Sequence, residues 1–391
     1  MEKVNSTLDI SAREFIVAAI SIYIESNFSF SLWRCPHSST IYLAATDKPQ
    51  LLSEISIEEI APGFLFSPFD PSKEKIHLAA DELYSFESDQ IIISKGNKTE
   101  EIIKRRNDKK SNSIPYLNTK KPSSITKEDH YHQLVAKCIE EIGKGTFEKV
   151  VPSRFKTVEL PEGFNFIHTF NLLCELYPYA MVSIFSSPIT GTWIGATPEM
   201  LVGIKNDQHF YTAAIAGTQP YLEGMDLRSI SWNQKEIEEQ ALVERYIISC
   251  FKKIRLREYD EHGPKTIVAG NVLHLKTDFT VDMIATNFPL LGSTMLKLLH
   301  PTSAVCGMPL ENSLKFLKEN EGYDREFYSG YLGPVNINNE TSVYVNLRCM
   351  QLFANEATLY AGAGVMADSD PEKEWRETEM KMNTLGKIVG K

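Results

Sequence analysis

Six runs rich in β-branched and aromatic residues, at 147–158, 180–185, 191–196, 210–215, 341–348 and 357–361, set the limits on how this chain can fold. Such runs favour strands. Several are joined by short turns, which predicts antiparallel pairing, and long helical stretches separate the others. Together these patterns predict an α+β protein whose large, mainly antiparallel sheets pack together and are surrounded by helices. The first hundred residues continue the pattern with strand runs at 39–45 and 90–94 and a core helix over 15–24. That apolar run is too short to span a membrane, which takes about 20 residues, and it lacks a basic leader or cleavage site.

From 95 to 125 the chain becomes polar and basic, with Lys104, Arg105, Arg106, Lys109, Lys110, Lys120 and Lys121. A solvated connection is expected there, since Tyr116 alone offers an aromatic surface for stacking on a nucleic acid. One domain over 1–391 is expected, in which residues 1–125 form an N-terminal portion and residues 126–391 carry the motifs. Thr126 is the expected cap of a helix with apolar positions Tyr131, Leu134, Val135, Cys138 and Ile142, ending near Gly143 or Gly145. His130 and His132 point to different faces of that helix and are assigned no metal role.

Two further helices carry the chemistry. In Ser369-Asp-Pro-Glu-Lys-Glu-Trp-Arg-Glu-Thr-Glu-Met-Lys381, Glu374, Glu377 and Lys381 share one stripe, and Trp375, Thr378, Met382 and Leu385 form the apolar face beside it. Ser369 or Asp370 is the expected cap, with Glu372 closing a Ser-x-x-Glu box. The stretch from Ser231 to Ile248 places Glu236 and Glu239 three apart, with Ile237, Ala241, Ile248 and Phe251 at helical spacing. Acidic first turns are common because the helix dipole favours them. Two separate glutamate pairs, however, could converge on one magnesium ion, and clustered carboxylates need such a cation to balance them.

The formal net charge of −10 argues against nucleic-acid or anionic-membrane partners. Six scattered cysteines, without zinc spacing, read as reduced thiols of a cytoplasmic protein. Gly362-Ala-Gly-Val-Met-Ala367 matches a loose dinucleotide fingerprint, but too little chain follows for the second strand and its ribose-binding acid. These glycines suit close backbone approach to a small anion instead. No GxSxG, HExxH or Walker A sequence is present.

Lys149-Val-Val-Pro-Ser-Arg154, Gly195-Ala-Thr-Pro-Glu-Met-Leu201, Ile215-Ala-Gly-Thr218, Leu299-His-Pro-Thr-Ser-Ala304, Tyr328-Ser-Gly330, Arg348, Gly362-Ala-Gly364 and Glu374-Trp-Arg-Glu-Thr378 occur in this order. In that set the chain resembles the chorismate-binding enzymes: isochorismate and salicylate synthases, anthranilate synthase large subunits and aminodeoxychorismate synthases. The resemblance runs from about 126 to the end and implies the fold of anthranilate synthase component I. It also implies magnesium, with Glu239 and Glu377 as direct ligands and Glu236 and Glu374 close by or linked through water. Arg348, Tyr328, the Gly362 backbone and Lys381 would hold the substrate carboxylates, and His274 would lie beside the ring.

By the same resemblance Lys149 is the general base and Glu199 the general acid of the water-using members. Ammonia-using relatives would carry glutamine at the lysine position. Ala216, before Gly217 and Thr218, stands where aminodeoxychorismate synthases carry a nucleophilic lysine, and it leaves room for water. The implied reaction converts chorismate to isochorismate by adding water at C2 and losing the C4 hydroxyl, in menaquinone or siderophore biosynthesis. The alternative is a salicylate synthase, which goes on to eliminate pyruvate. A monomer with no glutaminase partner is expected. Desolvation is expected to lower the pKa of Lys149 and raise that of Glu199. Gln219, Gln240 and Pro152 depart from the family pattern without removing a catalytic group.

Overall fold

The computed structural model describes residues 10–88, 90–105, 115–117, 127–222, 224–269 and 272–389. Two nine-stranded sheets form its centre. The first runs, in spatial order, Gln90–Lys95, Glu82–Glu87, Ile41–Thr46, Ser29–Arg34, Met181–Ser187, Gly191–Thr197, Cys349–Leu352, Glu356–Gly362 and Ser153–Glu159. The second runs Asp260–Ala269, Val272–Asp282, His209–Pro220, Met200–Ile204, Thr341–Val345, Tyr331–Val335, Gly63–Ser67, Lys75–Ala79 and Gln50–Leu52. Pairing among the described residues is antiparallel throughout. Both sheets draw strands from the first hundred residues, so this stretch is built into the same framework.

Strand alternation explains the layering. In Ser29–Arg34, Phe30 and Leu32 join an outer core under helices Ala12–Glu25 and Phe166–Leu176, while Trp33 faces the other sheet. The layer between the sheets is aromatic: Phe66 stacks on Phe327 at 4.1 Å and on Phe185 at 4.4 Å, and Trp193 stacks on Tyr360 at 5.6 Å. Helices Gln234–Lys253 and Leu291–Leu299 cover the far face of the second sheet. The order of layers is helix, sheet, sheet, helix, as the α+β expectation required.

Several local expectations change. The run 147–158 divides at Val151 and Pro152: Lys149–Val150 pairs with Gly307–Met308, and Ser153–Glu159 joins the first large sheet. Proline has no N–H to give a ladder, so the chain changes partner there. The run 341–348 also stops early: the strand ends at Val345, and Arg348, three residues on, takes φ 47°. Helix Pro371–Val389 is capped by Asp370, whose Oδ1 accepts from the Lys373 N–H at 3.0 Å. Glu372 pairs with Arg376 at 2.6 Å, so it does not close the expected box with Ser369.

In helix Gln234–Lys253, Ile237 is exposed, and the buried residues are Gln240, Leu242, Val243, Tyr246, Ile247, Cys250 and Phe251. Helix Glu128–Gly143 begins after Lys127; Thr126, its expected cap, and most of the basic connection lie outside the described residues. Cys138, Cys250, Cys306 and Cys349 are buried and all six thiols are free. No described helix is long and apolar enough to cross a membrane.

Candidate active site

The site lies where the chain passes from one sheet to the other. Gly191–Thr197 belongs to the first sheet and Met200–Ile204 to the second, with Pro198 and Glu199 between them. Thr341–Val345 and Cys349–Leu352 cross in the opposite direction through Asn346, Leu347 and Arg348. The crossings are bonded together: Thr197 Oγ1 donates to Val345 O at 2.6 Å, Val345 N to Glu199 O at 2.9 Å and Ala196 N to Arg348 O at 3.0 Å. Glu199 and Arg348 therefore enter one cavity from linked backbones.

Glu199, Ala216, Gly217, Thr218, Glu239, His274, Tyr328, Arg348, Gly362, Glu377 and Lys381 all line this cavity. Burial pushes the Glu199 carboxyl up to about 7, against the pull of Lys149, Arg348 and Lys381. The Arg348 guanidinium has no ion pair or hydrogen bond among the described residues, and burial lowers its pKa. A cation left open in a cavity suits an incoming carboxylate.

His274 Nδ1 lies 2.6 Å from Gly217 O, so that nitrogen carries the hydrogen and Nε2 is the free acceptor. Burial, helped by the Arg348 charge, lowers its pKa to about 3 and keeps the ring neutral. Gly217 takes φ 66° in a bulge of strand His209–Pro220, and a Cβ there would come within 3.0 Å of the Glu236 side chain. The bulge turns Ala216–Thr218 into the cavity. Tyr328 is buried, stacked on Tyr360 at 5.3 Å, and burial raises its hydroxyl to about 12.

The carboxylates come from the two helices, and each meets a lysine. Lys149, fully buried, places Nζ 2.7 Å from Glu239 Oε1. The residue expected as base is thus in contact with a carboxylate. Glu239 itself is held down at about 2: burial raises it, but Lys149 and then Lys381 and Lys235 outweigh that. Lys381 bonds Glu377 at 2.6 Å and Gly362 O at 2.9 Å.

Glu374 is buried, 2.6 Å from Lys235 Nζ, and its Oε2 has no hydrogen-bond partner among the described residues. Burial, then the Glu377 charge, raises its pKa. Glu236 is turned away: its Oε2 accepts from the Asn233 N–H at 2.9 Å and completes the capping box of helix Gln234–Lys253. Gly364 does admit a close anion, but that anion is protein: a Cβ there would sit 2.5 Å from Glu239 Oε1 and 3.1 Å from Lys149 Cε.

A carboxylate trio with one buried, unpartnered oxygen and like-charge strain is a donor set that fits a hard divalent ion. It is not a closed cage. Among the described residues the one set of ligand atoms mutually within 4.8 Å is Glu128, His132 and Glu372. There His132 Nε2 is 3.9 and 3.8 Å from the two carboxylates, and Arg376 already holds Glu372.

Sequence reasoning missed Lys235, although a lysine in the first turn of a helix opposes the dipole and was a usable signal. It also missed the buried Glu321–Arg325 pair. Arg325 donates to Val151 O at 2.7 Å and Val305 O at 2.8 Å and so braces two residues of the cavity wall. In sequence that pair looks like any surface (i, i+4) pair.

Comparison with known proteins agrees with this architecture. The family model described as "Chorismate binding enzyme" matches residues 71–390. The isochorismate synthase EntC of Escherichia coli is 28% identical over 282 residues, 70% of each chain. MenF, the menaquinone-specific isochorismate synthase of Escherichia coli, superposes with a TM-score of 0.75 at 19% identity, covering 99% of this chain and 92% of its own. Anthranilate synthase component I of Streptococcus pneumoniae superposes with a TM-score of 0.64 at 18% identity, covering 92% of both chains. The structural likenesses establish a shared fold.

Proposed function

This chain belongs to the chorismate-binding enzyme family, and from that premise we propose that it is a magnesium-dependent isochorismate synthase. The observation that carries the reading is a cavity lined by Glu199, whose carboxyl burial raises, and by Glu239, which holds the fully buried Lys149 just behind the wall at 2.7 Å. Lys149 in its neutral form takes a proton from water, which adds at C2 of the chorismate ring. Glu199, pushed up to about 7, keeps its proton near neutrality and passes it to the departing C4 hydroxyl, which leaves as water instead of hydroxide. Ala216, small and set in the cavity wall, leaves space for the attacking water and offers no amine.

Arg348, Tyr328 and Lys381 would hold the two substrate carboxylates, and His274 Nε2 would accept from a ring hydroxyl. Glu239, Glu374 and Glu377 would hold magnesium, which when bound supplies positive charge to the ring carboxylate. Glu236 supports that set as a cap of the helix bearing Glu239. The relatives named as isochorismate synthases support this assignment.

The test is product analysis of the purified protein with chorismate, in magnesium and then in excess chelator. Magnesium-dependent formation of isochorismate, stopping at an equilibrium mixture, is expected. Accumulation of salicylate and pyruvate would make the protein a salicylate synthase, and no turnover would overturn the enzymatic reading.

A further inference from the structure

Three carboxylates and three lysines cluster at the helix-borne side of the cavity: Glu239, Glu377 and Lys381 line it, and Glu374, Lys149 and Lys235 lie behind them. Two of the lysines have other engagements: Lys149 packs beneath Gly364, and Lys381 donates to Gly362 O. Lys235 is different. Glu374 is its one hydrogen-bond partner among the described residues, at 2.6 Å, and it does not line the cavity. It sits in the first turn of helix Gln234–Lys253, where the dipole disfavours a cation. Its side chain stays 28% exposed while Glu374 is 1% exposed, so the ammonium has a route to water that the carboxylate lacks. Glu374 Oε2 meanwhile remains buried and open.

We propose that Lys235 is a resident counter-cation: it holds Glu374 in place in the metal-free protein, yields the carboxylate to a divalent ion and swings its ammonium into solvent. The inference rests on the magnesium reading above. Lys235 then acts as a positioning residue that sets metal affinity and release without touching substrate. A tethered ammonium in contact with Glu374 and a divalent ion drawing on the same carboxylate repel each other. Binding the ion therefore costs the net value of one half-buried ion pair. The same lysine removes the penalty of an isolated buried charge when no ion is present.

The experiment uses the full chain without substrate. Magnesium chloride is titrated calorimetrically into wild type, Lys235→Met and Lys235→Arg, and lysine acetylation by acetic anhydride is mapped by mass spectrometry with and without magnesium. The Met variant is expected to bind magnesium about three- to fivefold more tightly, the net value of one half-buried pair. The Arg variant, which keeps the charge, should bind as wild type does, and acetylation of wild-type Lys235 should rise with magnesium. Equal or weaker binding by the Met variant, or unchanged labelling of Lys235 in a wild type that binds the ion, overturns the counter-cation role alone. A wild type that binds no magnesium overturns both this role and the metal reading. The labelling arm needs no variant, so a misfolded substitution does not remove the test.

Discussion

The two walls of the cavity handle charge in opposite ways. On the wall carried by the sheets, burial raises the Glu199 carboxyl to about 7 and keeps His274 neutral, and Arg348 has no partner among the described residues, so each group is open to a ligand. On the side carried by the helices, Glu239 and Glu377 in the wall and Glu374 behind it are each already matched by a lysine. The first wall can receive a substrate without rearrangement. On the proposed reading, the second exchanges partners as it binds a cation or frees an amine, so ligand-dependent change is expected there.

The sharpest way to break this contrast is to remove its shared member. Lys149→Ala deletes the proposed base and also takes the lysine from Glu239, and turnover is expected to fall by about 10³-fold. Unchanged turnover would sink the base assignment. On the sheet wall, Glu199→Gln should lower kcat by about 10²-fold. A pH profile sharpens this case: the acid must be protonated, so wild-type kcat/KM should decline about tenfold per pH unit above about 7. In Glu199→Gln that decline should vanish, and an unaltered alkaline limb would assign it to another group.

Arg348→Lys keeps the charge and loses the bidentate fork, so KM should rise about tenfold with a smaller change in kcat. An unchanged KM would mean that Arg348 does not meet a substrate carboxylate. The smallest effect is expected at Glu236→Gln, where the capping acceptor survives; calorimetric magnesium affinity should change by less than about twofold. A large loss would place Glu236 among the ligands.

What could be read in the sequence follows from the range of the forces involved. Helices Pro371–Val389 and Ala12–Glu25 are readable from local periodicity, and strands such as Gly191–Thr197 from β-branched and aromatic content. The face of helix Gln234–Lys253 is not. Its buried Gln240 is polar: Nε2 donates to Ala214 O at 3.3 Å and Thr277 Oγ1 at 3.1 Å while Oε1 has no hydrogen-bond partner among the described residues, whereas the apolar Ile237 is exposed. Glu236 and Glu239 have the same spacing as Glu374 and Glu377, yet one of the four serves as a cap, because a carboxylate at the third helical position reaches its own helix start. Arg348 lay inside a run that reads as continuous strand, and only the change of sheet shows why its backbone turns left-handed. The partners of Lys149 and Lys235, at positions 239 and 374, are set by long-range packing that no local spacing reports.

The paired crossings that carry Glu199 and Arg348 work as a stitch between two slabs. Any sliding of one sheet over the other strains that stitch first, and the strain would show as a changed distance between acid and guanidinium before any strand unpairs. The aromatic layer around Phe66, Phe185 and Phe327, which resists such sliding, therefore helps to keep the active site in register. Loosening it should blunt turnover at temperatures where the protein is still folded.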